Sequence, residues 1–183
     1  ILFGNYHSKR TTDIFDKTFS YKLEAKNVLK MSDYGISQLY EDDGDLRKCQ
    51  WQTQRDTEGN VGQFFVKYGD VTDNGFEFAK LLPMIRMSEM YLIKAECTKD
   101  YKALNPIRKA RNIPQLKSNI GLNGYIEDEY VREFIGEGQL FWYYKRKGVT
   151  SIPRLYNPSL QDMQITNSAY VFDLPDSEQQ LRK

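Results

Sequence analysis

Apolar and polar positions follow a helical period through the second half of the chain and a shorter one in parts of the first. Between Leu81 and Thr98 the apolar residues Leu81, Ile85, Leu92 and Ala95 fall on one stripe, and Met87, Met90 and Tyr91 widen it. This predicts one helix over 81–98, with Pro83 in its first turn. A face that broad belongs to a helix buried among other helices. Tyr101, Leu104, Ile107 and Ala110 predict a second helix over about 100–112, kinked or restarted at Pro106 and ended by Ile113-Pro114. Ile126, Tyr130, Val131, Phe134 and Ile135 predict a third over about 123–137. Gln139 to Lys147 is an aromatic and then basic fourth segment, closed by Gly148.

Upstream the signals are weaker. Residues 1–12 read as a strand or an irregular segment, and 13–31 carry only faint helical spacing. Ser32 is a natural N-cap for a short helix on Tyr34, Ile36, Leu39 and Tyr40, which should stop in 41–44. Partial alternation over 45–54 and 63–68, around a turn at 56–62, predicts a hairpin. Asp70 to Gly75 reads as a loop, and the tail from Thr150, with Pro153, Pro158 and Pro175, as mostly irregular. No fixed-period repeat or low-complexity run occurs. The fold class is therefore mainly α with minor β: a short hairpin, stacked helices and long irregular segments.

Composition narrows the function. At 183 residues the chain fits one domain or at most two small ones. Its 26 basic and 25 acidic residues leave a net charge of +1, which argues against a nucleic-acid-binding face and against a polybasic membrane-surface module. Mean hydropathy is −0.66, and no stretch approaches the ~20 apolar residues of a membrane span. Aromatics make up 14% of the chain, which excludes disorder for most of its length. Two cysteines and one histidine exclude the usual zinc frameworks and any two-histidine mechanism, so no metal and no cofactor is expected. Cys49 and Cys97 are read as free thiols, Cys97 as a small buried residue on a helix. Ile1 is not an initiator Met, and residues 1–6 read like the inside of a domain, so the chain is expected to be processed or cut from a longer one.

Few constellations suggest catalysis. Glu133 and Glu137 are i,i+4 on one helix, and Glu89 and Glu96 are i,i+7. A glycosidase needs two carboxyls facing each other roughly 5–10 Å apart across a cleft. Neighbours on one helix face the same way and are better suited to pairing with Arg86, Arg132 and Arg146. Asp70-Val-Thr-Asp-Asn-Gly opens like a calcium loop but has Thr72 at position 3 and Leu81 where a bidentate Glu is needed. There is no Gly-rich phosphate loop and no Gly-x-Ser-x-Gly, and His7 lies alone near a chain end. Phe64, Phe65, Tyr91, Tyr130, Phe134 and Phe141 have core spacings. Trp51, Tyr68, Trp142, Tyr143, Tyr144 and Tyr156 lie in polar or loop-like surroundings. Exposed rings there could cover the C–H face of a sugar while polar neighbours hold its hydroxyls. Trp51 is the first ligand-binding candidate and Tyr68 the second.

Five blocks in order carry a resemblance. They are Tyr40 to Trp51 with Asp45, Arg47 and Lys48; Pro83-Met-Ile-Arg-Met-Ser-Glu-Met-Tyr-Leu-Ile-Lys-Ala-Glu96; Ala103-Leu-Asn-Pro-Ile-Arg-Lys-Ala-Arg111; Tyr130-Val-Arg-Glu-Phe-Ile-Gly-Glu-Gly-Gln-Leu-Phe-Trp-Tyr-Tyr-Lys-Arg146; and Phe172-Asp-Leu-Pro-Asp-Ser-Glu178. Together, over about 34–178, they resemble the SusD/RagB family of bacterial outer-membrane nutrient-binding lipoproteins. Two departures stand out: the stretch between Glu96 and Tyr101 is short, and Asp173 stands where a proline or apolar residue is common.

The resemblance implies tetratricopeptide-like helical pairs. It implies that residues 1–183 are the C-terminal part of a SusD-like domain, without the N-terminal half that carries the signal peptide and lipid anchor. It implies a non-enzymatic protein on the cell surface of a Gram-negative bacterium, binding glycan or oligosaccharide for a SusC-like TonB-dependent transporter. The alternatives are a helical module that docks on the transporter with little ligand binding of its own, or a peptide-binding member. The blocks themselves read as architectural, with Arg86, Glu89, Glu96, Arg108, Arg111, Glu133, Glu137 and Arg146 as internal partners.

Overall fold

The computed structural model describes residues 1–40, 42–69, 80–153, 159–172, 175 and 178. After strand β1 (Phe3–Tyr6) comes a π-helical segment, Thr11–Phe19. Strand β2 (Lys30–Met31) leads into helix α1 (Asp33–Leu39), whose N-cap Ser32 accepts a hydrogen bond from the Gly35 amide at 3.1 Å, as its position predicted. A 3-10 turn, Leu46–Gln50, opens the region where a strand was expected from 45, so strand β3 is only Trp51–Arg55. It pairs antiparallel with β4 (Val61–Phe65), forming the predicted hairpin, and β2 adds a third strand on the far side of β4.

The expected helix over 81–98 is two elements. Leu81–Ile85 is strand β5, antiparallel to β1, with Phe3 opposite Ile85 and Tyr6 opposite Leu81. Pro83 therefore sits in a strand and not in a first helical turn. A two-stranded ribbon has free edges, where a missing N–H costs no ladder bond. Helix α2 is Met87–Thr98, and only Leu92 and Ala95 are buried on it, so it covers one narrow face. Met87, Met90 and Ile93 stay exposed. Cys97, expected inside, is exposed as well, and both thiols are free. Helices α3 (Tyr101–Ala110), α4 (Leu122–Phe134) and α5 (Gln139–Lys147) follow close to expectation. α3 continues through Pro106, started by the Asp100 carboxylate, which accepts from the Lys102 amide at 2.9 Å. α2 packs on α3 and α4, and α4 on α5. A small ribbon of β6 (Ser151–Ile152) and β7 (Met163–Gln164) lies beyond α5.

Two apolar clusters result. One lies among the four long helices and contains Leu92, Leu104, Ile126 and Phe134. The other joins the π-helical segment, α1 and the sheet through Phe19, Leu39, Trp51, Phe65 and Ile135. The structure is mainly α with minor β. The calcium-loop-like residues Asp70–Gly75 and Tyr156 lie outside the described residues, as does Asp173 in the terminal block.

Candidate functional site

Two rings chosen from sequence are not on the surface. Trp51 is 6% exposed and Tyr68 7%. Trp51 stacks obliquely on Phe65 at 5.1 Å and donates its indole N–H to the Tyr40 hydroxyl at 3.2 Å. Tyr68 packs on Phe19 at 5.4 Å. Burial pushes the Tyr68 phenol up to about 12, with the nearby Glu137 charge adding to it. The polar residues flanking both rings in sequence suggested exposure. Trp51 faces inward from β3, and Tyr68, in the turn after β4, joins the same buried cluster. Neither ring is placed to stack on a ligand from solvent.

The charged residues of the sequence blocks form a connected buried network where the two clusters meet. Glu129, Glu133 and Glu137 recur every fourth residue at the end of α4 and just beyond it. The Arg47 Nη1 donates to Glu129 at 2.7 Å and to Glu133 at 3.1 Å, across 82 and 86 residues of chain. The Asp45 carboxylate takes Arg47 Nη2 at 2.7 Å and the Arg47 amide at 2.9 Å. Arg111 Nε reaches Glu133 at 2.6 Å, Arg86 Nη1 reaches it at 3.0 Å, and Arg108 Nη1 holds Glu129 at 2.9 Å. Glu137 pairs with Arg86 at 2.9 Å and also with Lys67.

Burial alone would raise the Glu133 carboxyl. The Arg111 hydrogen bond and the charges of Arg111, Arg86 and Arg47 override it and hold the group down at about 2. Burial opposes the Arg47 charge too, but the Asp45 hydrogen bond and the Glu129 charge push its pKa up. A carboxylate locked among three guanidiniums cannot exchange protons with a substrate, so Glu133 and Glu137 are not an acid/base pair. They are the internal partners anticipated for them. Arg146 and Glu96 pair as well, at 2.8 Å near the surface. Glu89 makes no ion pair among the described residues. Glu129, fully buried, was missed, although its place four residues before Glu133 was a usable signal.

A well-formed concavity lies elsewhere. A cleft of about 610 Å³ opens between β2–α1 on one side and α4, α5 and the β6–β7 ribbon on the other. Leu29, Leu39, Val131, Ile135 and Leu140 make its apolar floor. Tyr34 and Tyr144 contribute rings, and Gln38, Lys30, Glu127, Asp128, Arg132 and Asp162 contribute polar groups. Tyr34 is 47% exposed. Tyr34 and Gln38 are i,i+4 on α1, a spacing that sequence reasoning passed over. Burial, with Glu127's charge added, pushes the Tyr144 phenol up to about 12, so its hydroxyl stays a neutral donor.

Of the other rings first grouped with Trp51, Tyr143 is buried and stacked on Tyr130 at 4.1 Å, whereas Trp142 is 58% exposed. Trp142 edges a second, mostly apolar groove between α2 and α5, lined also by Met84, Ile85, Met90 and Ile93. Among the described residues no group of three or more His, Cys, Asp or Glu is arranged to hold a metal ion.

A family model described as the SusD family matches residues 15–181. No curated protein and no solved structure gives a significant match.

Proposed function

Because the chain belongs to the SusD family, we propose that it binds glycan or oligosaccharide nutrients and delivers them to a SusC-like TonB-dependent transporter. The family's general role is nutrient binding in association with SusC-type transporters at the outer membrane, and it is a family of binding proteins. In this reading the protein has no catalytic activity of its own. It works on the cell surface of a Gram-negative bacterium, as a lipoprotein held by an N-terminal lipid anchor. No described helix is long and apolar enough to cross a membrane.

The observation that carries the reading is the cleft under α1. It combines an apolar floor, two tyrosine rings from opposite walls and several hydrogen-bonding side chains. That is the mixture an oligosaccharide needs: flat apolar surface against its C–H faces and polar groups for its hydroxyls. The test is a glycan and peptide binding screen on the full chain, repeated with Tyr34→Ala. Loss of that ring should weaken glycan retention by about 1–3 kcal/mol, by analogy with stacking of bases on aromatic side chains. Unchanged retention by a folded variant would overturn the placement. Retention of peptides and not glycans would identify a peptide-binding member.

A second reading rests on the groove between α2 and α5. Its exposed methionines, Ile93 and Trp142 make a contiguous apolar surface suited to another helix. Here the chain is chiefly a docking module for the transporter. Capture of the transporter that is lost in Ile93→Glu, with glycan retention intact, would favour this role for that face.

A further inference from the structure

We infer that the cleft under α1 selects its ligand by charge, accepting neutral or amine-bearing glycans and rejecting uronate- or sulfate-bearing ones, with Glu127 and Asp162 as the specificity-determining residues. The inference rests on the glycan-binding reading and adds the ligand's chemical class to it.

Among the described residues five charged side chains line the cleft: Lys30, Glu127, Asp128, Arg132 and Asp162. The two cations are engaged within the fold. The Lys30 amine is 2.8 Å from the buried Asp56 carboxylate. Arg132 is 6% exposed. Its Nε donates to the Leu39 carbonyl at 2.5 Å, its Nη1 faces Glu129 at 3.4 Å, and its Nη2 faces Asp128 at 3.8 Å. Neither guanidinium nor amine is left to form the bidentate grip that carboxylate or sulfate groups require.

The carboxylates are placed differently. Glu127 rises from α4 and is exposed, and among the described residues it has no cationic partner. Asp162, just before β7, is also exposed and, among the described residues, accepts from the Ser151 hydroxyl, at 3.2 Å. The two therefore line one cleft from different elements. After burial, the Glu127 charge is what pushes the Tyr144 phenol up, at the ring that a sugar would cover. An anionic sugar would meet two like charges over an apolar floor that cannot screen them as water does. A hydroxyl can donate to either carboxylate, and an amine can pair with it.

The experiment uses affinity electrophoresis of the full chain through neutral polysaccharides, each matched with its anionic derivative: starch with carboxymethyl starch, hydroxyethylcellulose with carboxymethylcellulose, and dextran with dextran sulfate. The chain is compared with the Glu127→Gln/Asp162→Asn variant. Any polymer retained in neutral form should be retained at least roughly tenfold more weakly in anionic form at low salt. The double variant should close most of that gap. Raising the salt to about 1 M should narrow the gap for the unaltered chain, because exposed charges are then screened within ~3 Å.

Equal or stronger retention of the anionic partner overturns the charge selection and leaves the glycan reading standing. So does a gap that the double variant fails to change. Retention of no polymer in either form overturns both.

Discussion

Replacing Glu133 by glutamine keeps the side chain's shape and removes its charge. The consequence is large because of where the group sits. Its carboxylate is 1% exposed and is met by Arg111, Arg47 and Arg86 at 2.6, 3.1 and 3.0 Å. With an amide in its place, three guanidiniums would converge on a neutral group whose NH₂ can only donate toward them. Breaking a buried pair from one side costs about 3–5 kcal/mol. The lowered pKa of the group gives a second figure. The carboxyl is lowered from 4.5 to about 2, and that difference, at ~1.36 kcal/mol per pH unit, is about 3 kcal/mol.

A domain of this size is stable by roughly 5–15 kcal/mol and loses about 2–4 °C of melting temperature per kcal/mol. Thermal unfolding followed by circular dichroism at pH 7 should therefore show Glu133→Gln melting about 6–20 °C lower. The matched control is Glu96→Gln, whose partner Arg146 is half exposed; its cost should stay below about 1 kcal/mol.

The pH dependence has a definite sign. Because folding lowers this carboxyl's pKa, its stabilising contribution is complete above about 4.5 and is lost as the pH falls toward about 2. The unaltered protein should lose stability across that window more steeply than Glu133→Gln does. Equal melting temperatures for Glu133→Gln and the parent, or a control that costs as much, would refute the assignment of a structural keystone to this carboxylate.

Trp51→Ala should lower stability by about 3–5 kcal/mol in urea unfolding, since it empties a packed site, while the folded fraction retains glycan unchanged. Gly136→Ala should cost about 2–4 kcal/mol, because a methyl there collides with the Phe65 ring at a residue with φ of +74°; Gly138→Ala, with φ of +78° and open space, should cost only about 1 kcal/mol. Both thiols should react with Ellman's reagent in the folded protein, and reductant should leave the melting temperature unchanged, since Cys49 and Cys97 are free and exposed. A thiol that reacts only after unfolding would contradict the surface placement of its helix or turn.

What could be read from sequence was what neighbouring residues decide among themselves. Helices α1, α3, α4 and α5 follow from apolar spacing within a dozen residues and from the local cap Ser32. The hairpin follows from two short alternating runs around one turn. The same local physics also made Glu133, Glu137, Arg86 and Arg111 legible as partners, because charged residues at helical spacing on otherwise apolar helices need counter-charges once buried. The family blocks pointed the same way.

Tertiary structure decided the remainder, and in each case the deciding partner is far away along the chain. Leu81–Ile85 has helical spacing, yet it is a strand because Phe3–Tyr6 supplies a ladder that no local pattern announces. Glu129 is buried because Arg47, 82 residues earlier, reaches it. Trp51 and Tyr68 looked available for a ligand because their sequence neighbours are polar, but Trp51 faces inward from its strand, Tyr68 packs inward from the turn after β4, and Phe19 and Phe65 complete a core around these two. The cleft that remains open is lined from α1, α4, α5 and the β6–β7 ribbon at once. Local sequence therefore determined most of the helices and which charges must be paired. Only long-range packing determined which rings face water, because burial depends on what arrives from elsewhere in the chain.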